Sequence, residues 1–157
     1  MKKRLIILLC LFVVAINTGC VRNTGFYRDV ETVKIGEKSN VQINNDVVSL
    51  SIKEGTLTNN SVTAILKNSS NNTIIYDDTY ELEIKKDGSW YKIDVELLFN
   101  EPIWNLDSGA SKELEFNWEK SYGDLDIGTY RIIKAISLEK TDDVYEEFYV
   151  GFEFTIN

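Results

Sequence analysis

From Asp46 to the C-terminus, apolar residues return at every second position, in short runs broken by turn-forming residues. Val48, Leu50 and Ile52 alternate with Ser49, Ser51 and Lys53, and Val62, Ala64 and Leu66 with Thr63, Ile65 and Lys67. Tyr80, Leu82 and Ile84 alternate with Glu81, Glu83 and Lys85, and the chain closes on Phe148, Val150, Phe152, Phe154 and Ile156. A period of two is that of a strand, whose successive side chains point to opposite faces. Shorter runs at 74–76, 90–93, 95–99, 114–118 and 129–136 complete a set of about eight strands. No stretch carries an apolar stripe at helical spacing.

The breaks between runs have turn chemistry. Residues 54–60 and 68–72 read as loops, and Asp87-Gly88 between two alternating runs predicts a tight hairpin, whose turn requires positive φ. Leu106-Asp107-Ser108-Gly109 and Leu125-Asp126-Ile127-Gly128 repeat one arrangement, each predicting a glycine at positive φ before a strand. Pro102 opens an irregular stretch that carries Ile103 and Trp104. Strands with one apolar and one polar face must bury the apolar faces together, which predicts an all-β fold of two antiparallel sheets over residues 46–157. Residues 20–45 are polar and without period and read as a spacer, with an edge strand through Val33 and Ile35 as the alternative.

The first residues follow another logic. Lys2, Lys3 and Arg4 precede an uninterrupted apolar run of 12 residues from Leu5 to Ile16, then Asn17-Thr18-Gly19-Cys20. A membrane-spanning helix takes about 20 apolar residues, so this run reads as a signal-peptide core. A small residue before cysteine at the end of such a run is similar to the lipobox of bacterial lipoproteins, although Asn17 stands where that family usually has leucine. The resemblance implies removal of residues 1–19 and attachment of a diacylglyceryl group, with further acylation of the palmitate type, to Cys20. It places the protein in the lipid bilayer on the extracytoplasmic face of the cell membrane. Two acyl chains are what stable anchoring requires.

Composition narrows the function. Loss of the leader leaves 138 of the 157 residues, with 14 basic against 25 acidic side chains, a formal charge of −11. Such a surface disfavours nucleic acid, which is bound through Lys and Arg. Cys10 leaves with the leader and Cys20 is the lipidation site, so the domain has no disulfide to form. Histidine is absent from the chain, which removes histidine-based triads and the commonest general base.

The segment from Val48 to Ile136 resembles the bacterial immunoglobulin-like domains of Gram-positive lipoproteins and surface proteins. The resemblance is carried by Val48 to Thr58, Thr63 to Asn68, Tyr80 to Ile84, Asp87-Gly88-Ser89-Trp90-Tyr91, Asn117-Trp118-Glu119-Lys120, Tyr122-Gly123 and Gly128 to Lys134. It implies an immunoglobulin-like two-sheet antiparallel sandwich and no defined activity. Gly128-x-Tyr130 also resembles a tyrosine corner, which makes Tyr130 a packing residue.

Few residues carry candidate chemistry. The pairs Asp77-Asp78, Asp124-x-Asp126 and Asp142-Asp143 read as solvated acidic loops, with Asp124 and Asp126 the first place to look for calcium; no metal or other cofactor is expected. Of the aromatic residues Trp90, Tyr91, Trp104, Trp118, Tyr122 and Tyr145, most are expected in the core. Trp104, with Pro102, is the expected point of contact with a partner. The reading is a non-catalytic, lipid-anchored binding or accessory module with an unidentified protein partner. The alternative is a proteinase inhibitor displayed on the cell surface, presenting loops 68–72 and 99–106.

Overall fold

The computed structural model describes residues 34–95, 102–141 and 144–157. These form ten strands and one turn of helix: β1 (Ile35–Lys38), β2 (Val48–Ile52), β3 (Ser61–Asn68), β4 (Ile74–Tyr76), β5 (Glu81–Lys86), β6 (Ser89–Ile93), β7 (Trp104–Leu106), β8 (Ser111–Asn117), α1 (Glu119–Tyr122), β9 (Gly128–Thr141) and β10 (Val144–Ile156). β2, β3 and β8 make one antiparallel sheet; the other strands make a second.

The long β9–β10 hairpin organises the larger sheet, with Val144 opposite Thr141 and Ile156 opposite Gly128. One side of β9 serves two partners in succession. β5 pairs with residues 130–133, and β4 pairs at Ser137 and Leu138. The sheet therefore forks, with β5, β6 and β1 beside the first half of β9 and β4 and β7 beside the second.

Alternation decides what goes inside. Val48 and Leu50 of β2, Val62, Ala64 and Leu66 of β3 and Phe116 of β8 are buried against Ile74, Leu82, Tyr130, Ile132, Ile136, Val150 and Phe154 of the larger sheet. Each valine, leucine, isoleucine or phenylalanine among them stabilises the fold by about 1.5–3 kcal/mol through area removed from water. Trp118 is fully enclosed, stacks on Phe154 at 5.6 Å and donates its indole N–H to Asn59 O at 2.9 Å.

The turns follow the sequence with one exception. Asp87 and Gly88 take φ of 48° and 75°, as the hairpin requires, and Gly109 takes 75°. Gly128 does not reach positive φ; it opens β9, where an added Cβ would lie 3.1 Å from the Tyr130 ring. Tyr130 is buried and its hydroxyl donates to Asp126 O at 3.0 Å, the tyrosine-corner contact. Helix α1 is too short to leave a periodic signal, and it contributes the buried Tyr122. Most of the strand expected at 95–99, together with Cys20 and Val33, lies outside the described residues.

The end of the expected spacer is not free of the sandwich. β1 pairs with β6 through Ile35–Ile93 and Lys38–Tyr91, and Ser39 N donates to Trp90 O at 2.8 Å. The chain then crosses the outer face of the larger sheet. Arg131 of β9 donates to Ser39 Oγ and Val41 O, and Ile43 makes a parallel bridge with Tyr149 of β10. The Asn45 side chain closes the strap on both polar backbone groups of Gly151. An irregular pairing between Ile35 and Lys38 hides this segment from a search for period two.

Candidate functional site

β7 is the outer strand of the larger sheet on one side, and β8 is the edge of the smaller sheet. Between them the sandwich is open, leaving a cleft of about 280 Å³. Its floor is Tyr76, Phe116 and Lys134; its walls are Trp104 on one side and residues 112–115 on the other.

Tyr76 and Trp104 are cross-strand partners in β4 and β7 and therefore project to one face of the sheet. Tyr76 is buried, whereas Trp104 at the rim is 47 % exposed. The Trp104 ring is held in place, since its Nε1 donates to Asp78 Oδ1 at 2.8 Å. Trp104 thus begins an edge strand instead of lying in the irregular stretch expected after Pro102, and Pro102 is exposed just before it.

Lys134 was not legible as a site residue. It shares the inward face of β9 with Tyr130, Ile132, Ile136 and Leu138, yet it is a lysine and is 2 % exposed. Its ammonium donates to Asp77 O at 2.5 Å and Thr79 O at 3.0 Å and lies 5.3 Å from the Tyr76 ring centre. Burial pushes its pKa below the ordinary lysine value, against the opposing pull of the Asp77 and Asp78 carboxylates. Its work is architectural. Lys134 pins the backbone of the 77–79 turn, and Asp77 Oδ1 accepts from Thr79 N and Oγ1 at 2.9 and 2.7 Å. The turn so fixed presents Asp78 to Trp104. The sequence signal was a charged residue at an inward parity position.

Among the described residues of the cleft lining, Lys112 is in phase with Leu114 and Phe116 and so shares the inward side of β8 with them, whereas Glu113 and Glu115 alternate to the outer face, where Glu113 pairs with Lys53. Among the described residues the lining includes no serine, threonine or cysteine.

The other sequence candidates are dispersed. Trp90 is held on the outer face between Lys85 at 5.0 Å and Arg131 at 4.5 Å, Trp118 and Tyr122 are core, and Tyr145 is exposed on β10. Asp124 and Asp126 are exposed, and among the described residues no group of three or more acidic, histidine or cysteine side chains is placed to hold a metal. Loop 68–72 is closed by Asn68, which is fully buried and bonds Asn72 O, Leu106 O and Ser70. A shallower polar depression of about 510 Å³ lies beside it, lined by Asn71, Thr73, Ser108 and Lys140 among others. Among the described residues no helix is long and apolar enough to cross a membrane.

None of the curated proteins matches the chain. The model of a family described as bacterial Ig-like domain matches residues 25–149, a span that takes in the strap and the sandwich as far as the middle of β10. Domains of this kind are surface or accessory modules and typically non-catalytic. With two antiparallel sheets, a tyrosine corner and that match over most of its length, the chain belongs to the bacterial Ig-like domain family.

Proposed function

We propose that the protein is a non-catalytic binding module, tethered to the extracytoplasmic face of a membrane by a diacylglyceryl group on Cys20, which offers the Trp104 cleft to a protein partner. The observation that carries the binding reading is the half-exposed Trp104, oriented by Asp78 over a recess that a buried lysine keeps in shape. Large aromatic side chains that stand exposed yet rigid lose little entropy on contact, and they concentrate at interaction sites. Anchoring supports the same reading, because confinement to a surface raises the effective concentration of the module at its partner.

Two measurements test the proposal. Cys20→Ser should move the protein from the membrane fraction to the medium, or leave it unprocessed; unchanged membrane association overturns the anchor. A photo-crosslinking residue in place of Trp104 on intact cells should capture a defined partner that the same residue at Lys120, exposed on α1, does not. Equal capture at both positions, or none at Trp104, overturns the cleft as the binding site. The inhibitor reading draws support from loop 68–72, which Asn68 locks in place. Inhibition of secreted proteases by the purified domain is its assay.

A further inference from the structure

β1 and the strap that follows it lie on the larger sheet in a seat unlike the core. Among the described residues 34–46 only Ser39 is buried, and its side chain is polar; Ile35, Gly36, Val41 and Ile43 are half-buried and the rest are exposed. The apolar core includes no residue of this segment.

Hydrogen bonds at separate points hold it. On the β6 side Ser39 N donates to Trp90 O at 2.8 Å and Asp94 N to Lys34 O at 2.9 Å; on the β10 side Asn44 N donates to Tyr149 O at 2.8 Å. Between these ends Arg131 reaches Ser39 Oγ at 3.4 Å and Val41 O at 3.3 Å, both long for bonds from a charged donor. The Asn45 side chain grips Gly151, donating to its carbonyl at 2.8 Å and accepting its N–H at 3.3 Å. The sandwich proper begins just beyond, where Ser69 N donates to Val47 O at 2.8 Å.

Local opening costs least where few buried apolar contacts are lost. Lifting this segment leaves the core closed and returns the Arg131–Glu83 pair to water. Rehydration of a buried ion pair offsets part of the bonds lost. Glu83 Oε1, which has no hydrogen-bond partner among the described residues, gains one from solvent.

We infer that residues 34–46 are a clasp that opens as one unit while the sandwich stays folded. A pull from the N-terminal side meets this segment before it meets β2, so the clasp lengthens the chain ahead of the core. Its opening frees up to roughly 45 Å of chain, at about 3.3–3.6 Å per extended residue. The opening rests on the contacts above alone, whereas the source of the pull rests on the anchor proposed at Cys20.

Native-state amide exchange in low urea, on the purified mature protein without lipid, reads the opening. The amides of Ser39, Asn44, Asp94 and Gly151 should exchange through one common event, roughly tenfold or more faster than the amides of β3 and with little dependence on urea. Asn45→Ala, at an exposed position, removes the grip at one end of the clasp. It should speed Ser39 and Asp94 at the other end by roughly fivefold or more and leave β3 unchanged. Exchange of the four amides only with global unfolding, or a response confined to Asn44 and Gly151, overturns the clasp. Pulled between the Cys20 thiol and the C-terminus, a single molecule should extend in two events, the first releasing no more than the length above and the second opening the sandwich. A single event overturns the role under load. Unchanged membrane association of Cys20→Ser overturns the anchor and leaves both measurements on the clasp as they stand.

Discussion

Glu83 and Arg131 face each other across β5 and β9, with Arg131 Nε 2.7 Å and a terminal nitrogen 2.6 Å from the same oxygen, Glu83 Oε2. The Glu83 side chain is 0 % and that of Arg131 8 % exposed, on a sheet face that alternation alone assigns to water. Ser39 and Val41 of the strap complete the arginine's bonds, Trp90 stacks on it at 4.5 Å, and Glu83 Oε1 has no hydrogen-bond partner among the described residues.

Removing one partner of a buried ion pair strands the other charge, at a cost of about 3–5 kcal/mol, whereas replacing both with apolar residues is often neutral or stabilising. Glu83→Ala and Arg131→Ala should therefore each lower the unfolding free energy by about 3–5 kcal/mol in urea titrations. The double variant Glu83→Met with Arg131→Met should lose less than either. A double-variant loss equal to the sum of the two single losses would show that the pair carries no coupling.

This pair marks where sequence reading stopped. Inner-face residues such as Leu50, Leu66, Ile132 and Phe154 were legible because one face of each strand must leave water, and period two records that directly. The outer face over β5 and β9 was read as wet, since Glu83 and Arg131 occupy the polar phase. What buries them is a segment more than 80 residues away from Arg131, and irregular pairing leaves it no period. Ile133 is 1 % exposed on this same face, an apolar residue out of phase with its neighbours. For the candidate site, Trp104 was legible as an exposed aromatic residue near Pro102. The β8 edge was not, because which strands are edges depends on strand order and not on any residue type.

The strap itself is tested at Gly151. An added Cβ there would lie 2.1 Å from Ile132 O and 2.9 Å from Ile43 Cδ1. The first contact is backbone and cannot yield cheaply, and overpacking of this kind costs about 1–3 kcal/mol. Gly151→Ala should lower the melting temperature and speed amide exchange over residues 39–45 more than in the β2–β3 pair. Unchanged exchange in the strap would mean that it is not seated through this contact.

Three aromatic substitutions separate packing from display. Tyr130→Phe removes the hydroxyl that reaches Asp126 O and should cost about 0.5–1.5 kcal/mol, the net value of one hydrogen bond. Trp118→Ala empties a fully enclosed site and should cost about 3–5 kcal/mol. Trp104→Ala, at the cleft rim, should fall within about 0.5 kcal/mol of the wild type, as exposed substitutions do. Chemical denaturation of the three variants checks the order; a cost for Trp104→Ala near that of Trp118→Ala would make Trp104 a core residue.

Buried groups on both sides of the core shape stability in alkali, with opposite signs. Burial raises the Tyr122 hydroxyl to about 12, a rise that Glu81 reinforces and a backbone hydrogen bond at Leu82 opposes. Because the unfolded phenol titrates near 10, Tyr122 contributes stability that is complete below that pH and is lost as pH climbs through about 12. Lys134 is displaced the other way, so between its lowered folded value and 10.5 the unfolded chain holds more protons than the native one, and stability rises with pH in that window. The wild type should gain stability on the approach to pH 10.5 and lose it beyond. Lys134→Met should flatten the rising limb, although loss of its bonds to Asp77 O and Thr79 O also lowers the whole curve. Tyr122→Phe should weaken the fall while leaving the rise. Urea midpoints measured in steps from pH 8 to pH 12 resolve the two slopes, and a rising limb that survives Lys134→Met would assign it to another group.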